Sequence, residues 1–210
     1  MRRLITASLF AAVALAGLQA RAADQVRSVA PFAAVSNSGA IALRIEVGKP
    51  QSVTASGSAS FLQALQAEVV DGQLRLSTKG RSHGDEWGDP KVTITVPQLS
   101  AFAMSGAGAT TITHLNGGRL DIHFSGAGSI TADGRVDKLV LEVSGVGSLD
   151  TRQLHADAAD VNVSGVGAVK VWATSRLDAN VSGVGSVTYY GDPKVANTHS
   201  SGIGSVTRAR

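Results

Sequence analysis

Asp160-Val161-Asn162 and Asp178-Ala179-Asn180 repeat one arrangement, a carboxylate with an amide two residues later. Residues two apart on a strand share a face. Two such segments lying side by side would therefore stack their acids and amides as a patch, with rows about 5 Å apart. Such a patch suits hydrogen bonding to sugar hydroxyls, or a weak Ca²⁺ site built from carboxylate and carbonyl oxygens. The plainer alternative is a solvated face that deters sticking. Trp87 adds an aromatic contact from the polar stretch Lys79–Pro90, which also holds His83, Asp85, Glu86 and Asp89. The candidate binding residues are thus Asp160, Asn162, Asp178, Asn180 and Trp87. A glycosidase needs an acid pair at defined separation. Aromatic residues to hold its sugar are only 4% of the chain, with Trp87, Trp172, Tyr189 and Tyr190 the ones placed to contribute. No catalytic residue is expected.

Other chemistries fall on their own requirements. Gly-X-Gly recurs, but a dinucleotide fingerprint needs a third glycine three residues on, at a helix start. That place holds Thr111, Thr131, Asp150, Lys170, Thr188 or Thr207. Gly80-Arg81-Ser82-His83-Gly84 spells Gly-X-Ser-X-Gly once, yet a nucleophile elbow sits between a strand and a helix, and no helical pattern follows. The histidines show no metalloprotease spacing. There is no Cys, so thiol nucleophiles, disulfides, zinc ribbons and lipoprotein anchors are out. Neither a cofactor nor a metal is expected.

The elements that carry these residues are set by a repeat. Ser-Gly-X-Gly begins at Ser105, Ser125, Ser144, Ser164, Ser182 and Ser201, at intervals of 20, 19, 20, 18 and 19 residues. Most copies follow an alternating segment such as Leu139-Val140-Leu141-Glu142-Val143, which reads as a strand. A period near 19 fits one coil of a parallel β-solenoid. The expected fold is all-β: a solenoid of about six coils over residues 101–210, capped by an N-terminal β segment over 23–100. Twelve motif glycines each cost roughly 0.5–1 kcal/mol of chain entropy relative to Ala, so geometry must demand them. The X residues Ala107, Ala127, Val146, Val166, Val184 and Ile203 point outward if alternation runs straight through the motif, and inward if the glycines bend the strand. Inward is the expectation, because apolar ladders are usually buried. The motif serines read as a hydroxyl ladder for the bends, or as exposed small residues.

Residues 27–100 lack the full motif but hold strand-like runs at 40–47, 52–55, 73–76 and 91–96, a helical turn near Ser60–Leu65 and a hairpin turn at Asp71-Gly72. At the other end, Ala196-Asn197-Thr198-His199-Ser200 is the least apolar of the repeated strands, as an outer coil should be. Residues 1–22 have the form of a signal peptide: Arg2 and Arg3, an apolar run from Leu4 to Leu18, then Ala20-Arg21-Ala22. Cleavage after Ala22, or else Ala20, is expected. Removing residues 1–22 takes three of the 19 basic residues and leaves sixteen against 16 acidic ones. A neutral chain has no electrostatic case for nucleic acid, and no later run is long enough for a membrane span.

The chained Ser-Gly-Ala/Val-Gly copies, Asp71-Gly72-Gln73-Leu74-Arg75-Leu76, Val92-Thr93-Ile94-Thr95-Val96-Pro97-Gln98-Leu99 and Tyr190-Gly191-Asp192-Pro193-Lys194-Val195 together resemble the head GIN domain family of putative autotransporter adhesins. The resemblance covers roughly residues 30–207 and implies a β-solenoid-like domain, exported to the periplasm or cell surface, with an adhesive role. It supplies no catalytic residues. The expected function is a noncatalytic envelope or surface binding module, its partner a glycan or a protein of the envelope. The alternatives are a carbohydrate-active enzyme using the Asp160/Asp178 face, and a structural protein that self-assembles as a homo-oligomer.

Overall fold

The structure is a computed structural model that describes residues 23–80, 87 and 89–209. Residues 1–22 and most of the 81–88 stretch, including His83, Asp85 and Glu86, lie outside the described residues.

Among the described residues fifteen strands form one continuous sheet. Its regular part consists of β9 (Ala107–Phe124), β10 (Ala127–Val143), β11 (Val146–Val163) and β12 (Val166–Val181), each running almost a full turn. They pair in parallel with motif on motif: Ala127 lies beside Ala107 and Val146, and Val166 beside Val146. The last turn is split into β13 (Val184–Tyr190) and β14 (Val195–Ser200), with a break at Gly191, whose φ is +84°, and β15 (Ile203–Arg208) follows the final bend and stacks on β13. The fold is the parallel β-solenoid expected, but with about five turns rather than six.

The repeat starts earlier than the full motif shows. Short strands β2 (Ala34–Asn37) and β3 (Ala42–Val47) flank Ser38-Gly39-Ala40-Ile41, a bend with Ile in place of the second glycine. The first full motif hydrogen-bonds to this bend as each later motif does to its predecessor. The N–H groups of Ser105 and Gly106 both donate to the Asn37 carbonyl, and that of Ala107 donates to Gly39.

Between this turn and β8 (Ala101–Met104) the chain builds the N-terminal end. There β4 (Ser52–Gly57) runs antiparallel to β7 (Lys91–Val96), and β1 (Ala23–Val26) runs antiparallel to β4. On the other flank β5 (Leu65–Val70) pairs antiparallel with β6 (Gln73–Thr78) through a turn at Asp71 and Gly72, both with positive φ. That is the hairpin geometry Asp-Gly favours. The helical turn α1 (Ala59–Ala64) is capped by the Ser58 hydroxyl accepting from the Phe61 N–H, and it buries Phe61.

The core is one column of stacked side chains. Phe102, Ile122, Leu141, Val161 and Ala179 are register partners in successive turns, and all are buried. Burying a Leu or Val side chain contributes about 1.5–3 kcal/mol, so this ladder stabilises every turn. It thins toward the C-terminus and ends on exposed Thr198.

Candidate functional site

Two surfaces of the solenoid are regular enough to act as sites: the edge formed by the Ser-Gly-X-Gly bends, and the strand face that precedes them.

At the edge, successive N–H groups of Ser and Gly donate to a single carbonyl of the previous turn, as Ser125 and Gly126 do to Met104. The turns touch backbone to backbone there. A Cβ on Gly126 would lie 2.0 Å from the Gly106 carbonyl oxygen, and one on Gly128, whose φ is +143°, would lie 1.9 Å from that of Gly108. No side chain fits. Strand alternation nevertheless continues through the bend: Phe124 and Ile130 are buried while Ala127 is exposed.

The X row therefore faces solvent, which corrects the expectation of burial. Val146, Val166, Val184 and Ile203 are 58%, 48%, 49% and 81% exposed. The glycines change the spacing between turns without reversing the side-chain parity, and it is parity that sets the direction. All six motif serines are exposed beside this stripe. Ser164 donates to the Val143 carbonyl at 3.5 Å, but the bend carbonyls are already satisfied by backbone N–H groups. The hydroxyl-ladder reading gives way to that of exposed small residues.

The strand face brings together four of the five predicted residues. Asp160 and Asp178 are register partners, as are Asn162 and Asn180. Asn180 donates to the Asn162 side-chain oxygen at 3.2 Å. Each acid has a cation beside it: Arg119 on Asp121 at 2.9 Å, Lys138 on Asp160 at 2.8 Å, and Arg176 on Asp178. The Arg176 guanidinium, helped by the Asn197 amide, holds the Asp178 carboxyl below its ordinary value. That is the opposite of what a general acid needs. Among the described residues no group of three or more His, Asp or Glu is placed to hold a metal ion.

Trp87 does not join this patch. It is buried and packs on Phe61 of α1, ring centroids 6.1 Å apart, so its ring belongs to the core of the N-terminal end. Polar neighbours on both sides hid that burial in the sequence. A different aromatic group emerges from the stacking: His155, Trp172 and Tyr190 are register partners with ring centroids 4.6 and 6.4 Å apart and interplanar angles of 23° and 8°. Their spacing of nearly one repeat was the available signal. Trp172 is the middle ring, with His155 and Tyr190 at the two ends of the stack.

The family description "Putative auto-transporter adhesin, head GIN domain" matches residues 31–193. The chain belongs to this family. Solved structures share the fold of this chain. A putative adhesin from Bacteroides fragilis aligns with a TM-score of 0.73 at 23% identity, over 90% of this chain and 97% of that one. A putative adhesin from Parabacteroides distasonis aligns at 0.55 and 20% identity, covering 91% and 98%. A protein from the same organism described as a putative lipid binding protein aligns at 0.50 and 20% identity, covering 91% and 98%. No curated protein gives a significant match. Among the described residues no helix is long and apolar enough to cross a membrane.

Proposed function

We propose that this head GIN domain protein is an exported, noncatalytic binding module of the envelope or cell surface, and that it docks through the Ser-Gly-X-Gly edge. One observation carries the reading. Of the six large apolar residues that stand exposed among the described residues, four are X residues of successive motifs, Val146, Val166, Val184 and Ile203. Aligned valines gain a little by packing on their in-register neighbours, but burying them against a partner gains more, and an apolar stripe with polar margins is a common form of interaction surface. From Ala107 to Ile203 the stripe spans five turn spacings of about 4.8 Å, roughly 24 Å in all. It is uncharged and flanked by hydroxyls, which suits an extended, weakly polar protein or glycan surface.

The ion-paired Asp160/Asp178 patch supports a solvated face better than an enzyme. Trp87 is buried and Trp172 lies between His155 and Tyr190, so neither indole face lies open to a sugar. The test is saturable binding of the labelled processed chain, residues 23–210, to envelope fractions and purified surface polysaccharides, with and without EDTA. Binding to one fraction, unaffected by EDTA, is expected. Absence of binding to every fraction would refute the adhesive reading, and EDTA sensitivity would move the site to the Asp/Asn ladder.

A further inference from the structure

The two ends of the solenoid are finished differently. The N-terminal end closes on antiparallel strands: four-residue β1 on one flank, and β5 with α1 on the other. Short edges and covering elements are how proteins prevent unwanted strand pairing. At the C-terminal end β14 and β15 have no partner on their outer side among the described residues, and every side chain in them except Val206 is exposed. Edge strands are usually protected by charge, yet β14 and β15 hold a single charged residue, Arg208 at the last position, and it is paired with Asp192.

We infer that this end pairs with the same end of a second copy, making a two-fold, tail-to-tail dimer. The register follows from parity. The N–H groups of Ser201 and Ala209 donate back to Val181 and Tyr189 of the preceding turn. N–H directions alternate along a strand, so Ala196, Thr198 and Ser200 of β14, and Gly204, Val206 and Arg208 of β15, aim their backbone groups at the open side. A two-fold axis through Gly202 sets β14 antiparallel to β15 of the second copy. Ala196 then meets Arg208, Thr198 meets Val206, and Ser200 meets Gly204. In each pair the backbone N–H groups face the open side and can donate across the axis, the Gly204 carbonyl also accepting from the Ser200 hydroxyl of its own chain. Ala196, Thr198, Ser200 and Val206 continue the inward-facing rows of the preceding turn, while Arg208 reaches aside to Asp192. On the outer side His199 lies opposite Ser205, and Asn197 opposite Thr207. The blocked N-terminal ends stop growth at two copies.

Size sets the strength. Two six-residue strands of about 20 Å, on flanks about 10 Å apart, give an end face of roughly 400 Å² per copy, or about 800 Å² buried in total. Stable interfaces usually bury 1,200–2,000 Å², so the dimer is weak and reversible, with a micromolar Kd. The axis at Gly202 also joins the two X stripes end to end across Ile203. This inference does not depend on what the stripe binds.

The test is sedimentation velocity of residues 23–210 from about 1 to 200 micromolar, a range chosen for a micromolar Kd. Wild type is expected to pass from monomer to dimer and no further. His199→Lys/Ser205→Lys sets like charges opposite each other twice and should hold the chain monomeric. His199→Asp/Ser205→Lys should restore the dimer, a rescue that only this register predicts. Thr198→Pro, which removes an N–H facing only the open edge, should also give monomer, while Val166→Glu on the stripe should still dimerise. A wild type that stays monomeric throughout, open-ended polymers, or a Lys/Lys variant that dimerises normally would each overturn the inference.

Discussion

Gly165 and Gly117 should respond in opposite directions to the same substitution. A Cβ on Gly165 would stand 2.1 Å from the Gly145 carbonyl oxygen and 2.7 Å from the Ser144 carbonyl carbon. Ordinary contact begins at 3.4 Å, so the turns must part by more than an ångström, and what has to move is backbone held in a parallel ladder. Overpacking a core costs about 1–3 kcal/mol when side chains can adjust. Here the upper end is the estimate, about 3 kcal/mol for Gly165→Ala. In a domain of this size 1 kcal/mol moves Tm by about 2–4 °C, so a fall of roughly 6–12 °C is expected. Gly117 is exposed, lacks a positive φ and has no atom within 4 Å of its added Cβ. Gly117→Ala should therefore stabilise by about 0.4–1 kcal/mol through the unfolded chain, raising Tm by about 1–4 °C. Thermal unfolding followed by circular dichroism reads both. A Gly165→Ala protein melting within a degree of wild type, or two variants shifting the same way, would refute the backbone-contact account of the motif.

Three further outcomes follow from the same structure. The chain has no Cys, so Val146→Cys should react with a thiol reagent in the native state, while Leu149→Cys, at a buried position, should react only after unfolding. Leu141→Ala removes a fully buried rung of the core ladder and should cost about 2–5 kcal/mol, seen as a lower urea midpoint. Asp178 has a lowered carboxyl pKa in the fold because of Arg176 and Asn197. Its contribution is complete above the ordinary carboxylate value and is lost as pH falls through the folded value. A carboxylate NMR titration should find that low value in wild type and a higher one in Arg176→Gln.

The period of the motif was enough to read the solenoid, because a bend that admits only glycine must recur wherever two turns touch. Asp71-Gly72 and the Ser60–Leu65 turn were legible for the same local reason. The direction of the X row was not. Burial statistics favoured the core, but Ala127 sits between inward-facing Gly126 and Gly128, which leave no side chain to mark the parity. The turn at Ser38-Gly39-Ala40-Ile41 was hidden because Ile41 replaces a glycine and the chain builds the whole N-terminal end before reaching Ser105. Within the candidate site the stacking of Asp160 on Asp178 could be read from spacing alone. The ion pairs that occupy these acids could not, since Lys138 reaches Asp160 from the neighbouring turn. Trp87 gave no sign of burial, because its contact with Phe61 depends on how the N-terminal end folds back.

Binding measured on charge-substituted stripes puts the docking edge itself to the test. Labelled wild type, Val146→Glu/Val166→Glu and Asp160→Ala/Asp178→Ala would be titrated onto the envelope fraction that binds wild type, after matching their melting temperatures. The stripe variant should lose saturable binding while the aspartate variant keeps it. Full binding by the stripe variant, with loss in the aspartate variant, would place the site on the strand face and contradict the account.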